Sequence, residues 1–236
     1  TELKKLKPYG DTFYYVRPIL SQIRDLKRED VDPALLSSVV KKQRADFEAS
    51  SGIYYDKGPY KGKMKGVYAD LLKNIEKNEE LCVVYKKYQK SLRQGKLYDY
   101  EDMIMETIKV LRDNGDLLLR LQEKYQYILA DEHQDANNAQ NKILELLCNF
   151  HASPNLFIVG DEKQAIFRFQ GASLDNFLYF KKLYPKAKLI ALEENYRSTQ
   201  MILDASHSLI LKNLDVEKSL LTKLVALRES DVHPKI

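Results

Sequence analysis

The chain has little cysteine and no metal-binding pattern. Its two cysteines, Cys82 and Cys148, lie far apart and form no CxxC pair, and its four histidines show no metal-ligand spacing. These absences argue against a zinc site or a disulfide framework, and they predict a reducing, cytosolic setting. No apolar run approaches the roughly 20 residues that a membrane span needs. With 31% charged and 44% hydrophobic residues, the composition predicts a soluble globular protein with a sizeable core.

A second absence is the phosphate-binding P-loop. The motif G-x-x-x-x-G-K-[ST] surrounds a triphosphate with backbone N–H groups and a lysine. Two Gly-Lys pairs occur, but Gly62-Lys63 precedes Met64 and Gly95-Lys96 precedes Leu97, so both lack the hydroxyl residue. Neither pair has a glycine five positions earlier. The sequence therefore contains no Walker A motif.

Charge is unevenly distributed along the chain. Residues 1–97 carry 21 Lys and Arg against 13 Asp and Glu, a net charge of +8, whereas the remainder carries a net charge of −4. Eleven of the 16 tyrosines fall in the first hundred residues. This distribution favours a polyanion partner for the first part and metal or nucleotide chemistry for the second. Solvated lysine faces would give the same asymmetry.

Residues 1–120 are predicted to be mostly helical. Asp32-Pro33 is a strong helix start, because Asp caps a helix and Pro at its first position loses no hydrogen bond. Asp99 can cap a later helix, which Asn114-Gly115 would end. Between these, the apolar spacing from Val67 to Leu92 predicts long helices interrupted near Lys77-Asn78.

Residues 50–66 form a basic, glycine-containing segment with two interpretations. Its side chains include Lys61, Lys63 and Lys65 together with Tyr54, Tyr55 and Tyr60. A flexible loop of this kind could follow a nucleic-acid backbone while its tyrosines stack on bases. The alternative is a solvated lysine loop whose tyrosines pack locally.

From Gln126 the pattern changes to alternating strands and helices. Strands are predicted at Tyr127–Ala130, Leu156–Val159 and Lys188–Leu192, with a helix from about Asn138 to Phe150 between the first two. Such a crossover makes the first two strands parallel neighbours. It therefore brings Asp131, Glu132 and Asp161 to one edge of the sheet, where ligands bind in α/β folds. Without the second strand, Asp131 and Glu132 could equally lie in the first turn of a helix, where acidic side chains are favourable.

Further helices are predicted from Ser173 to Leu183 and after Thr199, which can act as an N-cap. Before them, Phe167 and Phe169 flank Arg168. This arrangement is typical either of core packing or of a base-stacking platform with a phosphate contact.

Three motifs in this order resemble those of the UvrD/Rep/PcrA-like superfamily 1 DNA helicases. They are Asp131-Glu132-x-Gln134-Asp135 with Gln140, Val159-Gly160-Asp161-x-x-Gln164-x-Ile166-Phe167-x-Phe169-x-Gly171-Ala172, and Leu192-x-x-Asn195-Tyr196-Arg197-Ser198. The resemblance spans about residues 80–212, and Tyr98–Ile104 is similar to an acidic-aromatic segment of the family. The first 80 residues fit the family's inserted 1B subdomain only by position and helical character.

The resemblance implies specific roles for these residues, with ATP and Mg²⁺ as the cofactors and DNA as the partner. Asp131 would ligate magnesium, and Glu132 would orient or activate the attacking water. Gln164 would sense the γ-phosphate, Arg197 would contact it as an arginine finger, and Tyr196 would stack on adenine. Phe167, Arg168 and Phe169 would meet single-stranded DNA. Phosphoryl transfer needs such positioning and charge neutralisation more than covalent chemistry.

The sequence also departs from the family pattern. His133 replaces an aromatic Phe or Tyr, Phe169 stands where Trp is frequent, and Gln170 replaces a frequent Arg. No Walker A motif precedes these motifs, and no later family motif follows Ser198.

The expected fold is therefore α/β, a partial RecA-like parallel sheet with flanking helices, preceded by a mostly helical subdomain. Residues 1–120 are assigned to a 1B-like subdomain, 121–187 to the second part of motor domain 1A, and 188–236 to the start of domain 2A. Two functions are open: an internal piece of an ATP-dependent 3′–5′ helicase that is inactive alone, or a truncated paralogue that binds single-stranded DNA or docks partners.

Overall fold

A computed structural model describes residues 3–6, 10, 13–151, 153–161, 164, 179–212 and 223–227. Its helices are α1 Val16–Arg28, α2 Pro33–Ala49, α3 Gly66–Gln94, α4 Tyr100–Asp113, α5 Gly115–Lys124, α6 Asn138–Cys148, α7 Tyr179–Leu183 and α8 Gln200–Ile210. Its strands are β1 Ile128–Ala130, β2 Leu156–Ile158, β3 Glu194–Asn195 and β4 Val225–Ala226. Within the described ranges, no helix is both long enough and apolar enough to cross a bilayer. The expectation of a mixed α/β chain is confirmed.

The chain divides into two compact units. Unit 1 comprises residues 1–121 and 138–147, and unit 2 comprises residues 122–137 and 148–236. Unit 1 holds helices α1 to α4, most of α5 and most of α6, whereas unit 2 holds the four strands, α7 and α8.

Helices of unit 1 begin where local capping chemistry predicts. The Asp32 carboxylate accepts the backbone N–H groups of Ala34 and Leu35 at 2.9 and 2.7 Å, and Pro33 is the first residue of α2. Asp99 and Asp102 form a capping box at α4, each side chain accepting the other's backbone N–H. These interactions satisfy amide groups that a helix start otherwise leaves unpaired.

The core of unit 1 lies where α1, α2 and α3 meet. Its buried residues are Leu6, Ile23, Leu36, Val40, Leu81 and Tyr85. The Tyr85 hydroxyl donates to the Val31 carbonyl at 3.1 Å, which provides a partner for the polar end of an otherwise buried ring. Burial is the main cause that raises the pKa of Tyr85, and nearby carboxylates raise it further.

The interruption predicted near Lys77-Asn78 is wrong. Helix α3 is continuous over 29 residues. Neither Lys nor Asn removes a backbone hydrogen bond as Pro does, and the helix-propensity cost of Asn is well under 1 kcal/mol. Tertiary contacts hold this stretch: Glu79 pairs with Arg44 on α2 at 2.7 Å, and Glu80 accepts the backbone N–H groups of residues 4–6.

Unit 2 contains two small parallel sheets. In the first, Ile128, Leu129 and Ala130 of β1 align with Leu156, Phe157 and Ile158 of β2. In the second, β3 pairs in parallel with β4. The parallel pairing predicted for the first two strands is confirmed.

The third predicted strand, Lys188–Leu192, is wrong. These residues form no strand, and Leu189, Ile190 and Leu192 are exposed. An apolar run becomes a strand only when a neighbouring backbone accepts its hydrogen bonds, and pairing among the described residues begins only at Glu193, whose carbonyl accepts the Val225 N–H.

Candidate functional site

The first group of candidate residues lies at the carboxyl ends of β1 and β2. The Val159 N–H donates to the Ala130 carbonyl at 2.8 Å, and the His133 N–H donates to the Val159 carbonyl at 3.0 Å. These bonds continue the pairing past the strand ends, so that Asp131 and Glu132 leave the sheet beside Gly160 and Asp161. As predicted, parallel pairing brings the three acids to one edge of the sheet.

Glu132 adopts an uncommon backbone conformation. Its φ of 50° and ψ of 36° lie in the left-handed region, where a residue with a Cβ is strained. The chain then enters a short 3-10 helix over His133–Asp135. The Glu132 N–H donates to the Asp131 carboxylate at 2.9 Å. Such outliers cluster at functional sites.

Gln134 joins the two strand ends. Its side-chain amide donates to the Glu132 carboxylate at 2.5 Å, and its carbonyl oxygen accepts the Asp161 N–H at 3.1 Å. The residue is 2% exposed. A buried amide with both ends bonded fixes the orientation of its neighbours, so Gln134 positions the Glu132 carboxylate. Gln134 belongs to the first motif, but the sequence indicates no role for it, because its second partner lies 27 residues away.

Gln164 contacts the same cluster through Asp161. Its side-chain amide donates to the Asp161 carboxylate at 2.8 Å, and its backbone N–H donates to the Asp161 carbonyl at 3.0 Å. The structure therefore links Glu132, Gln134, Asp161 and Gln164, and we call these four residues with Asp131 the acid–amide cluster.

His133 retains the character of the aromatic residue that it replaces. The residue is 2% exposed, and its ring lies 5.5 Å from the Phe180 ring on α7 at an interplanar angle of 58°. The departure from the family pattern therefore preserves a buried ring beneath the cluster.

Tyr196 and Arg197 directly follow strand β3. The Tyr196 hydroxyl donates to Glu194 at 2.5 Å, which raises the pKa of the phenol, and its ring is 71% exposed. The Asn195 side chain accepts the backbone N–H groups of Arg197 and Ser198 at 3.0 and 2.7 Å. This turn orients the two candidate residues, both of which are exposed to solvent. Thr199 begins α8 as predicted, but its side chain makes no capping hydrogen bond.

The remaining candidates are those predicted to contact DNA. Phe167, Arg168 and Phe169 fall outside the described residues, as does Gln170. Lys61, Lys63 and Lys65 belong to unit 1, where residues 53–65, which were predicted to be a flexible basic loop, contain two β-bridges.

The acid–amide cluster leaves charge available for a ligand. Among the described residues, no salt bridge involves Asp131 or Glu132, and both are exposed. Carboxylate oxygens suit Mg²⁺, which is commonly held by one or two carboxylates with waters and substrate phosphates. No group of three or more His, Cys, Asp or Glu able to hold a metal occurs among the described residues. The donor set therefore fits a metal shared with a phosphate ligand better than a metal enclosed by protein.

A second group of carboxylates, in unit 1, was missed as a group by sequence reasoning. The Lys27 ammonium is completely buried between Asp99 and Asp102, at 2.5 and 2.7 Å. The Tyr88 hydroxyl donates to Asp99 at 2.9 Å, and Gln89 donates to Asp102 at 2.8 Å. We call these five residues the buried ion cluster. The signal in the sequence was Lys27 on the apolar face of α1, four residues after buried Ile23.

Burial and hydrogen bonding shift the pKa values of Asp102 and Tyr88 in the buried ion cluster. Burial of the Asp102 carboxyl opposes its ionisation, but hydrogen bonds from Gln89 and Lys27 outweigh this and hold its pKa below the ordinary value. Burial, together with the bond to Asp99, raises the pKa of Tyr88 to about 12. Both carboxylates of this cluster are paired with the buried Lys27 ammonium, so the cluster has a structural role.

A family model described as the UvrD/REP helicase N-terminal domain matches residues 17–185. Those residues are well over half of the chain, so the chain belongs to the UvrD/REP helicase family. The resemblance inferred from the three motifs is confirmed.

Individual relatives carry the name ATP-dependent DNA helicase PcrA. The chain is 42% identical over 146 residues to that protein of Leuconostoc citreum, covering 61% of this chain and 19% of the relative. It is 42% identical over 136 residues to that of Staphylococcus epidermidis, covering 58% and 18%, and 40% identical over 136 residues to that of Staphylococcus aureus, with the same coverage. The chain thus spans about a fifth of the length of the curated relatives it matches.

Proposed function

We propose that this chain is a segment of an ATP-dependent 3′–5′ DNA helicase, in which ATP hydrolysis drives strand separation. The relatives' printed name supports the activity. Residues 1–120 serve as a 1B-like subdomain, 121–187 as the second part of a RecA-like motor domain 1A, and 188–236 as the start of domain 2A. The observation that carries the proposal is the acid–amide cluster at the carboxyl end of a parallel strand pair.

An exposed apolar sheet face also supports a segment rather than a whole motor. Leu129 and Phe157 are register partners in β1 and β2, and they are 75% and 56% exposed. Parallel sheets are normally covered on both faces. Further elements of a larger domain would bury this face.

The chain's own carboxylates and amides can act on a magnesium–ATP substrate. Magnesium, when bound with ATP, neutralises charge on the phosphate oxygens. Asp131 supplies an oxygen ligand to it. Glu132 accepts a proton from the attacking water or orients that water, and Gln134 holds the Glu132 carboxylate in place. Gln164 senses the γ-phosphate from the Asp161 side of the cluster.

Further residues complete the site in this proposal. Arg197 contributes positive charge to the γ-phosphate, and Tyr196 stacks on the adenine. Both side chains are exposed beside β3, which leaves them accessible to a nucleotide. Phe167, Arg168 and Phe169 contact single-stranded DNA.

The isolated chain should not hydrolyse ATP. A P-loop supplies the backbone N–H groups and the lysine that bind a triphosphate, and this sequence has neither. The test measures ATP turnover by the purified chain with and without single-stranded DNA. We expect no turnover above background. DNA-stimulated turnover that Glu132→Gln abolishes would contradict the proposal that the isolated chain is inactive.

The activity itself is tested on the complete product of the genomic reading frame. An upstream G-x-x-x-x-G-K-[ST] would identify the chain as a segment. We expect that product to unwind duplexes with a 3′ single-stranded tail and to leave 5′-tailed duplexes intact. Unwinding from the 5′ tail alone would contradict the polarity.

The missing Walker A motif favours one second candidate, a truncated paralogue that binds single-stranded DNA or docks a partner. In that case the reading frame would contain no P-loop, and DNA binding would proceed without nucleotide. An encoded P-loop excludes this candidate.

A further inference from the structure

Residues 53–65 form an ordered ribbon, which we call the lysine–tyrosine ribbon. Bridges join Tyr54 to Met64 and Tyr55 to Lys61. Backbone hydrogen bonds of 2.8 to 3.0 Å close it, including Tyr55 N–H to the Lys63 carbonyl and Lys65 N–H to the Ile53 carbonyl. An ordered ribbon loses less conformational entropy on binding a ligand than a flexible loop does.

Two glycines set the turns of the ribbon. Gly58 and Gly62 have φ values of 81° and 78°, and a Cβ at either position would meet nothing within 4 Å. The glycines are therefore required by backbone conformation and not by close packing, and the surface around them is open.

The ribbon concentrates positive charge that its surroundings do not neutralise. It carries four lysines and one aspartate, a net charge of +3. Among the described residues, none of the four lysines forms a salt bridge with a carboxylate, whereas Lys5, Lys27 and Lys142 all do. This is the charge pattern that a polyanion complements.

Aromatic rings accompany the charge. Tyr54, Tyr55 and Tyr60 are 51%, 39% and 58% exposed, and the rings of Tyr55 and Tyr60 lie 5.9 Å apart. Exposed ring pairs offer faces on which unpaired bases stack. An acidic polypeptide would use the lysines but would gain nothing from this pair of rings.

The lysines are held against the same rings. The Lys63 ammonium lies 5.6 Å from the centre of the Tyr60 ring, and the Lys65 ammonium lies 5.9 Å from that of Tyr55. Cation–π contacts are weak at exposed sites, so a phosphate can draw the lysine away. The ring face that the lysine leaves then becomes available to a base.

We propose that the lysine–tyrosine ribbon is a single-stranded nucleic-acid contact, in which Lys61, Lys63 and Lys65 hold phosphates while Tyr55 and Tyr60 stack on bases. It rests on the proposed function for the choice of DNA as the strand, and it adds a contact in unit 1. Single strands are favoured over duplexes because a duplex hides its base faces.

The test measures equilibrium binding of fluorescent oligo-dT of about 16 nucleotides, a length near the upper end of common single-strand sites, to the full chain without nucleotide. The first variant combines Lys61→Gln, Lys63→Gln and Lys65→Gln. Its control combines Lys73→Gln, Lys86→Gln and Lys90→Gln, exposed lysines of α3, with the same loss of charge. We expect the ribbon variant to bind roughly tenfold more weakly, with a salt slope shallower by about 2, and the control to keep the wild-type slope.

A second pair of variants separates stacking from charge. Tyr55→Leu with Tyr60→Leu should weaken binding by about fivefold or more without changing the salt slope, and Tyr55→Phe with Tyr60→Phe should bind like wild type. Unchanged circular-dichroism melting shows that each variant folds.

Four results would overturn the inference: no oligo-dT binding by the wild-type chain, equal loss in the ribbon and control triple variants, no effect of the leucine pair, or duplex binding as tight as oligo-dT binding. Competition by polyglutamate that depends on the lysines but not on the tyrosines would indicate an acidic polypeptide partner and would also overturn it.

Phe169→Ala keeps this inference distinct from the proposed function. If Phe169→Ala abolishes binding and the ribbon variants do not, the ribbon inference fails while the proposed function stands. If the ribbon variants lose binding but the complete gene product shows no ATP-driven unwinding, the proposed function fails and the ribbon contact stands.

Discussion

Among the described residues, the buried ion cluster and the acid–amide cluster both combine carboxylates with amide side chains, but they hold their carboxylates in different environments. In the buried ion cluster, the fully buried Lys27 ammonium forms ion pairs with both Asp99 and Asp102. In the acid–amide cluster, Glu132 is bonded by the Gln134 amide and, among the described residues, forms no salt bridge with a cation. Amides orient a carboxylate without neutralising it, whereas a buried ammonium cancels its charge. The comparison separates carboxylates that stabilise the fold from carboxylates that can act on a ligand.

The largest expected effect is on chemistry. Glu132→Gln in the complete gene product should lower ATP turnover by roughly 10²–10⁴-fold, because the amide cannot accept a proton from water. Its stability should stay close to that of wild type, since Glu132 is exposed. Steady-state turnover and thermal melting measure the two quantities. Asp116→Asn, at an exposed acid on α5, is the control and should leave ATP turnover unchanged. A similar loss of turnover in both variants would show that the effect is not specific to the acid–amide cluster.

The next largest effect is on stability. Lys27→Met should lower the free energy of unfolding of the chain by about 3 kcal/mol, because it leaves two carboxylates without their buried counter-charge. Denaturant unfolding measures this loss. Arg93→Met removes the exposed pair with Glu106 at 3.4 Å and should cost less than about 0.5 kcal/mol. Equal costs would show that burial does not distinguish the two ion pairs.

Gln134→Leu tests the bridge within the acid–amide cluster. It should cost about 1–2 kcal/mol of stability, since the Asp161 N–H loses its acceptor. It should also lower turnover of the complete gene product by roughly tenfold, because the Glu132 carboxylate loses its positioning partner. A loss of stability with unchanged turnover would mean that Gln134 does not position Glu132.

The smallest expected effect depends on pH. The pKa of Asp102 is lower in the folded chain, so its stabilising contribution is present above the ordinary carboxyl pKa of about 4 and is lost as pH falls through the lower folded value. Asp102→Asn should therefore cost about 1–2 kcal/mol at neutral pH, and its difference from wild type should narrow below about pH 4. Denaturant unfolding curves at several pH values measure the difference in free energy of unfolding between wild type and Asp102→Asn. A difference that does not change with pH would show that the ionised form of Asp102 is not the stabilising species.

Features that depend on a few neighbouring residues could be predicted from the sequence. The Asp32 and Asp99 caps act within three residues, and the parallel pairing of β1 with β2 follows from a short crossover. The shared edge of Asp131, Glu132 and Asp161 followed from that pairing.

Contacts with distant segments that no capping motif or strand crossover indicates could not be predicted. Lys27 meets Asp99 72 residues away, so its burial on α1 gave no sign of a partner. Residues 188–192 have the composition of a strand, but a strand forms only against a neighbouring backbone. Continuity of α3 through Asn78 depends on contacts of the adjacent glutamates with other segments.

The left-handed conformation of Glu132 has a consequence for how such a chain would evolve. A glycine there would relieve strain on the order of 1 kcal/mol, so under the proposed function the residue best suited to the backbone is not the one suited to hydrolysis. A lineage released from the need to hydrolyse ATP would gain stability by replacing this glutamate. Under the proposed function, glycine at this position in a related sequence would indicate a protein that no longer hydrolyses ATP.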